Sequence, residues 1–202
     1  MGNGQSQQHF EDSPGYHVLR VSDNSPAEEA GLKSYFDFIL SVNGVRLETD
    51  VAGTHLSEVL NHSVGETVVL NVYSSKERGI REVRVVPSKS WSLAETDGVI
   101  GAAVRFCSYG AAAENVWHIL EVSPKSPAEK AGLQPNTDYV VGTPQMNLET
   151  QDDFFTLVEE RQRAPIQLLV YNSQWDTCRE VTIVPDSGWG GAGSLGCDIG
   201  YG

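Results

Sequence analysis

The chain has 202 residues, enough for one large domain or two of about 100 residues each. Hydrophobic residues make up 40% of it, which supplies a packed core and argues against wholesale disorder, and no run of about 18 apolar residues exists to cross a membrane as a helix. The formal charge of −13 has the wrong sign for a nucleic-acid binder, so no nucleic acid is expected among its partners.

In chain order, residues 1–14 are polar and are expected to form a disordered leader. His17 to Val21 holds β-formers in partial alternation and reads as a strand. Ser25-Pro26 then opens a short helix, with Ser as cap and Pro at the first helical position. Ala27, Glu28, Glu29 and Ala30 continue it, and Gly31 ends it. Asp37 to Val42 reads as a strand closed by the Asn43-Gly44 turn. Thr54 is expected to cap a second helix, His55 to about Asn61, with Leu56, Val59 and Leu60 at helical spacing. Strands at 67–73 and 80–86 and a last strand at 99–106, after a glycine, complete the series.

The same series then recurs. Residues 16–32 and 117–133 agree at 11 of 17 positions. Arg81-Glu82-Val83 pairs with Arg179-Glu180-Val181, Pro87 with Pro185, Trp91 with Trp189, and the segment 98–104 with 193–199. A period near 100 residues is the size of a small domain, so the chain reads as two tandem copies, 15–108 and 109–202, joined at a small-residue and polar stretch around 108–115. The second helix of the second copy reads as Phe154 to Glu159.

The string S-P-A-x-x-A-G-L followed by D-F-I-L-S-V-N-G resembles a PDZ domain. Nothing before Tyr16 can supply the carboxylate-binding loop that normally precedes this segment. The matching loop comes last, at Gly98-Val99-Ile100-Gly101, so each copy resembles a circularly permuted PDZ domain. The repeated pair, with Phe106-Cys107-Ser108, Glu114 to His118, Asn172 to Thr182, and Trp189-Gly190-Gly191 to Cys197, is similar to the Golgi reassembly stacking proteins. The resemblance implies an α+β, mainly β fold: two small antiparallel barrels or sandwiches, each with two helices. It also implies a non-enzymatic adaptor on the cytoplasmic face of Golgi membranes, and a Ser/Pro-rich tail following Gly202. Such an adaptor would serve Golgi organisation and conventional or unconventional secretion. Its partners would be C-terminal tails of golgins or transmembrane cargo, and further copies of itself.

Met1-Gly2-Asn3-Gly4-Gln5-Ser6 fits the M-G-x-x-x-S pattern of N-myristoylation, which places a lipid anchor on Gly2. One myristoyl chain holds a membrane only marginally, and no polybasic patch assists it, so a membrane-bound partner must supply the second hold. The first peptide groove is expected to be walled by Leu56, Val59 and Leu60, with Val99, Ile100 and Gly101 as its carboxylate loop. His55 stands where many PDZ domains place a histidine that reads a ligand hydroxyl, although a helix histidine also simply faces solvent. In the second copy the loop is Ser194, Leu195 and Gly196. The resemblance further implies a self-association segment carrying Leu195, Ile199 and Tyr201. It associates His17 and Cys107 with a zinc ion shared with a partner, although two ligands do not close a tetrahedral shell and Leu19 stands where some members carry a third. The three cysteines, Cys107, Cys178 and Cys197, are odd in number and widely spaced. With no secretory signal ahead of them, they read as reduced thiols in a cytosolic setting. No nucleophile elbow, P-loop or H-E-x-x-H is present. Two other readings of the fold stay open on sequence alone: a PDZ module of a protease, and a scaffold for plasma-membrane receptor tails.

Overall fold

Local signals in the sequence become structure through identifiable bonds. In a computed structural model, which describes residues 14–93, 97–108, 115–146, 148 and 150–202, the Ser25 hydroxyl accepts from the Glu28 amide at 3.2 Å, and Pro26 takes the first helical position. Ser126 does the same for Glu129 at 3.1 Å. Each short helix ends at a glycine in the left-handed region, Gly31 at φ 79° and Gly132 at φ 77°. The Asn43-Gly44 pair, both at positive φ, makes the tight turn that pairs Val42 with Val45.

The chain divides between Ala113 and Glu114 into two compact units. In the first, the elements are β1 (Pro14–Val21), α1 (Pro26–Glu29), β2 (Asp37–Val42), β3 (Val45–Arg46), α2 (Thr54–His62), β4 (Val68–Ser74), β5 (Gly79–Val85) and β6 (Ala102–Ser108). All pairings are antiparallel, in the order β5-β4-β2-β1-β6, with β3 attached to β2. Alternation in β4 buries Val68, Leu70 and Val72 against Val83 and Val85 of β5, Leu56 and Leu60 of α2, and Ile100.

The second unit contains β7 (Trp117–Val122), α3 (Pro127–Lys130), β8 (Asp138–Gly142), α4 (Gln151–Glu160), β9 (Ile166–Asn172), β10 (Thr177–Ile183) and β11 (Cys197–Tyr201). Its sheet runs β10-β9-β8-β7-β11, again antiparallel. Trp117, Ile119, Val140, Phe154, Leu168 and Val181 lie in its core. In each unit the last strand returns to pair with the first and becomes the end strand of the sheet. That is the permuted arrangement anticipated from the position of the Gly98–Gly101 segment.

A buried ion pair recurs in both units. Arg81 grips Asp37 with both guanidinium nitrogens, at 2.8 and 2.6 Å, and reaches the Gly31 carbonyl at 3.1 Å. Arg179 holds Asp138 at 3.0 and 2.5 Å and the Gly132 carbonyl at 3.2 Å. Both carboxylates are wholly buried. The clamp ties the end of each short helix to two strands of its sheet.

Two expectations are corrected. Thr54 is not the cap of α2 but its first residue; Gly53, at φ 69°, precedes it and lets the chain turn back so that the Asp50 carboxylate reaches the free amides of His55 and Leu56 at 3.1 and 3.0 Å. The last strand of the first unit begins at Ala102, not at Val99, because Gly98 at φ 67° and Gly101 at φ 70° bracket a turn.

Candidate peptide-binding clefts

In the first unit, α2 lies across from the end strand β6, and an open cleft of about 180 Å³ separates them. A water needs only about 10–15 Å³ of such space, so the cleft has room for a side chain and its attached carboxylate. Leu56 and Leu60 form one wall, with Ser57 and Asn61 at the rim, and Ile100 and Val104 line the other side. Tyr16 reaches the cleft from β1, and its hydroxyl donates to the Asp50 carbonyl. Of the residues expected from the sequence, Leu56, Leu60, Val99, Ile100 and Gly101 come together here. Val59 does not line the cleft; it is half-buried and packs against the core. His55 does not line it either, and its Nε2 is buried without a hydrogen-bond partner among the described residues.

The end of the cleft is closed by the loop 98–101, whose four carbonyls all face the body of the unit. Gly98 accepts from Trp91 Nε1–H at 2.9 Å, Val99 from the Ser88 amide at 2.7 Å, Ile100 from the Ala27 amide at 2.8 Å and Gly101 from the Ser22 amide at 2.9 Å. A trans peptide holds its N–H opposite its C=O, and there are no cis bonds among the described residues. The amides of Val99, Ile100 and Gly101 are thus turned the other way, towards the cleft that these residues line, and carry no hydrogen bond among the described residues. Three consecutive N–H groups with no partner among the described residues, beside an apolar pocket, form an anion-binding concavity.

The second unit repeats the bonding of this loop. Gly193 accepts from Trp189 Nε1–H, Ser194 from the Asp186 amide, Leu195 from the Ala128 amide and Gly196 from the Ser123 amide, each at 2.9 Å. Gly193 and Gly196 bracket this turn at φ 65° and 67°. Ser194, Leu195 and Gly196 therefore occupy the geometry of Val99, Ile100 and Gly101. The side chains differ: Trp117 stands at the position of Tyr16, Phe154 at that of Leu56 and Phe155 at that of Ser57. Phe154 is buried and Phe155 is 40% exposed.

The self-association segment is not free in this fold. Leu195 is buried, and Ile199 packs on the core of its own unit within β11, which pairs with β7. Of these three, Tyr201 presents the largest surface, 41% exposed, with its ring centroid 5.7 Å from that of Trp117 and its hydroxyl bonded to Asn115.

His17 and Cys107 lie on β1 and β6, where Gly15 pairs with Cys107 and His17 with Arg105. The His17 ring is buried, stacks on Phe38 at 4.4 Å, and donates Nε2–H to the Tyr35 carbonyl at 2.6 Å, leaving Nδ1 as its acceptor. Burial pushes the imidazole pKa down to about 4, with Arg105 adding to the shift against the Tyr35 carbonyl, and burial raises the Cys107 thiol. Two donors do not close zinc's tetrahedral shell, and no group of three or more His, Cys, Asp or Glu among the described residues could hold a metal. The described residues alone do not complete the shell; a zinc here would take its other ligands from elsewhere. Gly2 lies outside the described residues.

Sequence reasoning missed the tryptophans at the loops, the Asp50 cap and the buried Asp–Arg clamps. Trp91 and Trp189 did stand out as a repeated pair, but nothing in the repeat says what an indole touches.

The geometry defines a class: tandem, circularly permuted PDZ-like units. Comparison with known proteins agrees with it and narrows it. The GRASP55/65 PDZ-like domain family matches residues 5–93 and 70–202, and the chain belongs to that family. It is 48% identical over 202 residues to Golgi reassembly-stacking protein 1 of Mus musculus, covering all of this chain and 44% of that protein. It is 50% identical over 188 residues to the protein of the same name in Homo sapiens, covering 93% of this chain and 41% of that one. An uncharacterized protein of Schizosaccharomyces pombe is 35% identical over 192 residues, covering 95% of this chain and 53% of its own length. The chain thus spans less than half the length of the two mammalian relatives.

Proposed function

We propose that this protein is a non-enzymatic tethering adaptor of Golgi membranes, whose two clefts take the C-terminal tails of membrane-associated partners such as golgins or transmembrane cargo. One observation carries the reading: the four inward carbonyls of the loop 98–101 leave three amides for a terminal carboxylate beside an apolar pocket, and the loop 193–196 repeats the device. A tail would add as a strand along the outer edge of β6, with its last side chain among Leu56, Leu60 and Ile100. The names of the mammalian relatives support the Golgi as the setting. Myristate on Gly2 would hold the protein to the cytoplasmic face weakly, and bound tails would supply the second hold.

The test uses the 202-residue chain and an eight-residue peptide ending in isoleucine, made as the free acid and as the carboxamide. The acid should bind and the amide should bind at least about tenfold more weakly, because the amide lacks the charge the three N–H groups receive. Ser57→Trp, which fills the exposed rim without touching the core, should abolish binding at the first cleft. Equal affinity for acid and amide would refute the carboxylate reading.

A further inference from the structure

We propose that Trp91 and Trp189 are positioning residues for tail binding: each indole spans its carboxylate loop from end to end and holds the amides in receiving order. The inference rests on the carboxylate reading of the clefts but makes a separate claim about what fixes the loop. Trp91 Nε1–H holds the first carbonyl, that of Gly98, at 2.9 Å. The six-membered ring of the same indole, along the edge beside that N–H, covers the last residue, since a Cβ added to Gly101 would lie 2.8 Å from it and would overlap Ser25 on the other side. Trp189 repeats both contacts, with its Nε1–H on Gly193 at 2.9 Å and its ring 2.6 Å from a Cβ placed on Gly196, opposite Ser126.

The other three carbonyls in each loop are held by backbone amides, which no substitution removes without breaking the chain geometry. Among the described residues the first is held by a side chain and not by a backbone amide, so it is a point at which the loop can be released selectively. Releasing it frees the peptide plane between Gly98 and Val99 to rotate, and glycine at positive φ offers little resistance.

The two connections make the contact hard to read as an accident of packing. Trp91 and Gly98 are seven residues apart, whereas Trp189 and Gly193 are four apart. A connection three residues longer still delivers the indole to the same carbonyl and the same glycine. Both rings remain only half-buried, so core filling is not what they are for.

The experiment compares wild type, Trp91→Phe and Trp189→Phe in the 202-residue chain, isotopically labelled, titrated with the same peptide as acid and as amide. Phenylalanine lacks the N–H and does not reach the last glycine. Trp91→Phe should weaken the acid about tenfold at the first cleft, followed at the Val99, Ile100 and Gly101 amide resonances, and should leave the amide nearly unchanged. The acid-to-amide ratio falls, which a loss of general stability would not produce. Trp189→Phe should act in the same way at Ser194 to Gly196 only, and gives the same comparison if Trp91→Phe does not fold. An unchanged ratio in both variants overturns the proposal. If wild type shows no preference for the acid, the carboxylate reading fails, and the strut is judged on the free protein. Amide relaxation at 99–101 must then reveal a loosened loop in Trp91→Phe while 194–196 stays rigid; an equally rigid loop overturns it.

Discussion

Asp138 is a wholly buried carboxylate, and its neighbours decide its charge. Burial alone would raise its pKa, but Arg179, the Gln134 amide and the Asn172 side chain outweigh that and hold it below the usual carboxylate range. A group depressed on folding adds stability above its unfolded pKa of about 3.9 and loses it as pH falls towards the folded value. Unfolding of the full chain should therefore show a lower midpoint as pH drops below about 4, and Asp138→Asn, weaker at neutral pH, should lose less in that window. Arg179→Ala should cost about 3 kcal/mol at pH 7, since it strands a buried charge. Denaturant titrations at several pH values check both; a variant with the wild-type acid slope would assign the clamp no role. Arg81 and Asp37 are 44 residues apart and Arg179 and Asp138 are 41 apart, so neither pair has a local signature in the sequence.

At the level of elements, α2 carries one wall of the cleft and depends on a cap that lies outside it. The Asp50 carboxylate receives the His55 and Leu56 amides and the Thr54 hydroxyl, and these outweigh the effect of burial to keep it ionised at lower pH than usual. Asp50→Ala should destabilise the first unit by about 1 kcal/mol and weaken peptide binding at the first cleft, while Asp50→Asn should retain most of both. Melting curves and the acid-peptide titration decide it, and unchanged values for the alanine variant would show that α2 needs no cap. The sequence revealed elements whose instructions are adjacent: Ser-Pro starts, Asn-Gly turns and the alternating strands. It misled at Thr54 because Ser and Thr before an apolar run usually cap, and the left-handed Gly53 that brings Asp50 into reach is silent at that level. It misled at Val99-Ile100 for a related reason: two strong β-formers sit between glycines whose positive φ values forbid a strand. The cleft residues were legible through helical spacing and family resemblance, but Val59 shares that spacing and faces the core.

Taken as a whole molecule, the chain is acidic throughout. Residues 1–109 carry 9 basic and 14 acidic groups, and residues 110–202 carry 5 and 13. Two copies meeting broadside repel at low salt, so trans association, which we include in the tethering proposal, must rest on a local contact. Leu195 and Ile199 are engaged within their own unit, which leaves Tyr201 as the exposed member of the proposed segment. Sedimentation should show weak self-association that strengthens as salt screens the charge, reduced in Tyr201→Ala and in Ser57→Trp. A chain that stays monomeric at high concentration and high salt, or an oligomer indifferent to both substitutions, would place the contact elsewhere. A groove meeting a different surface on its neighbour is a head-to-tail contact and can extend beyond a dimer.

The return of β6 to β1 also orders events during biosynthesis. Val18 pairs with Val104, 86 residues later, and the receiving loop lies immediately before β6. While the first unit is emerging from the ribosome, the β1 edge stays open until residues 102–108 have cleared the tunnel. Neither the cleft nor its amide loop exists before that moment. A nascent chain therefore cannot capture a tail prematurely, and translation stalled before Gly98 leaves an unpaired edge strand rather than a half-competent adaptor.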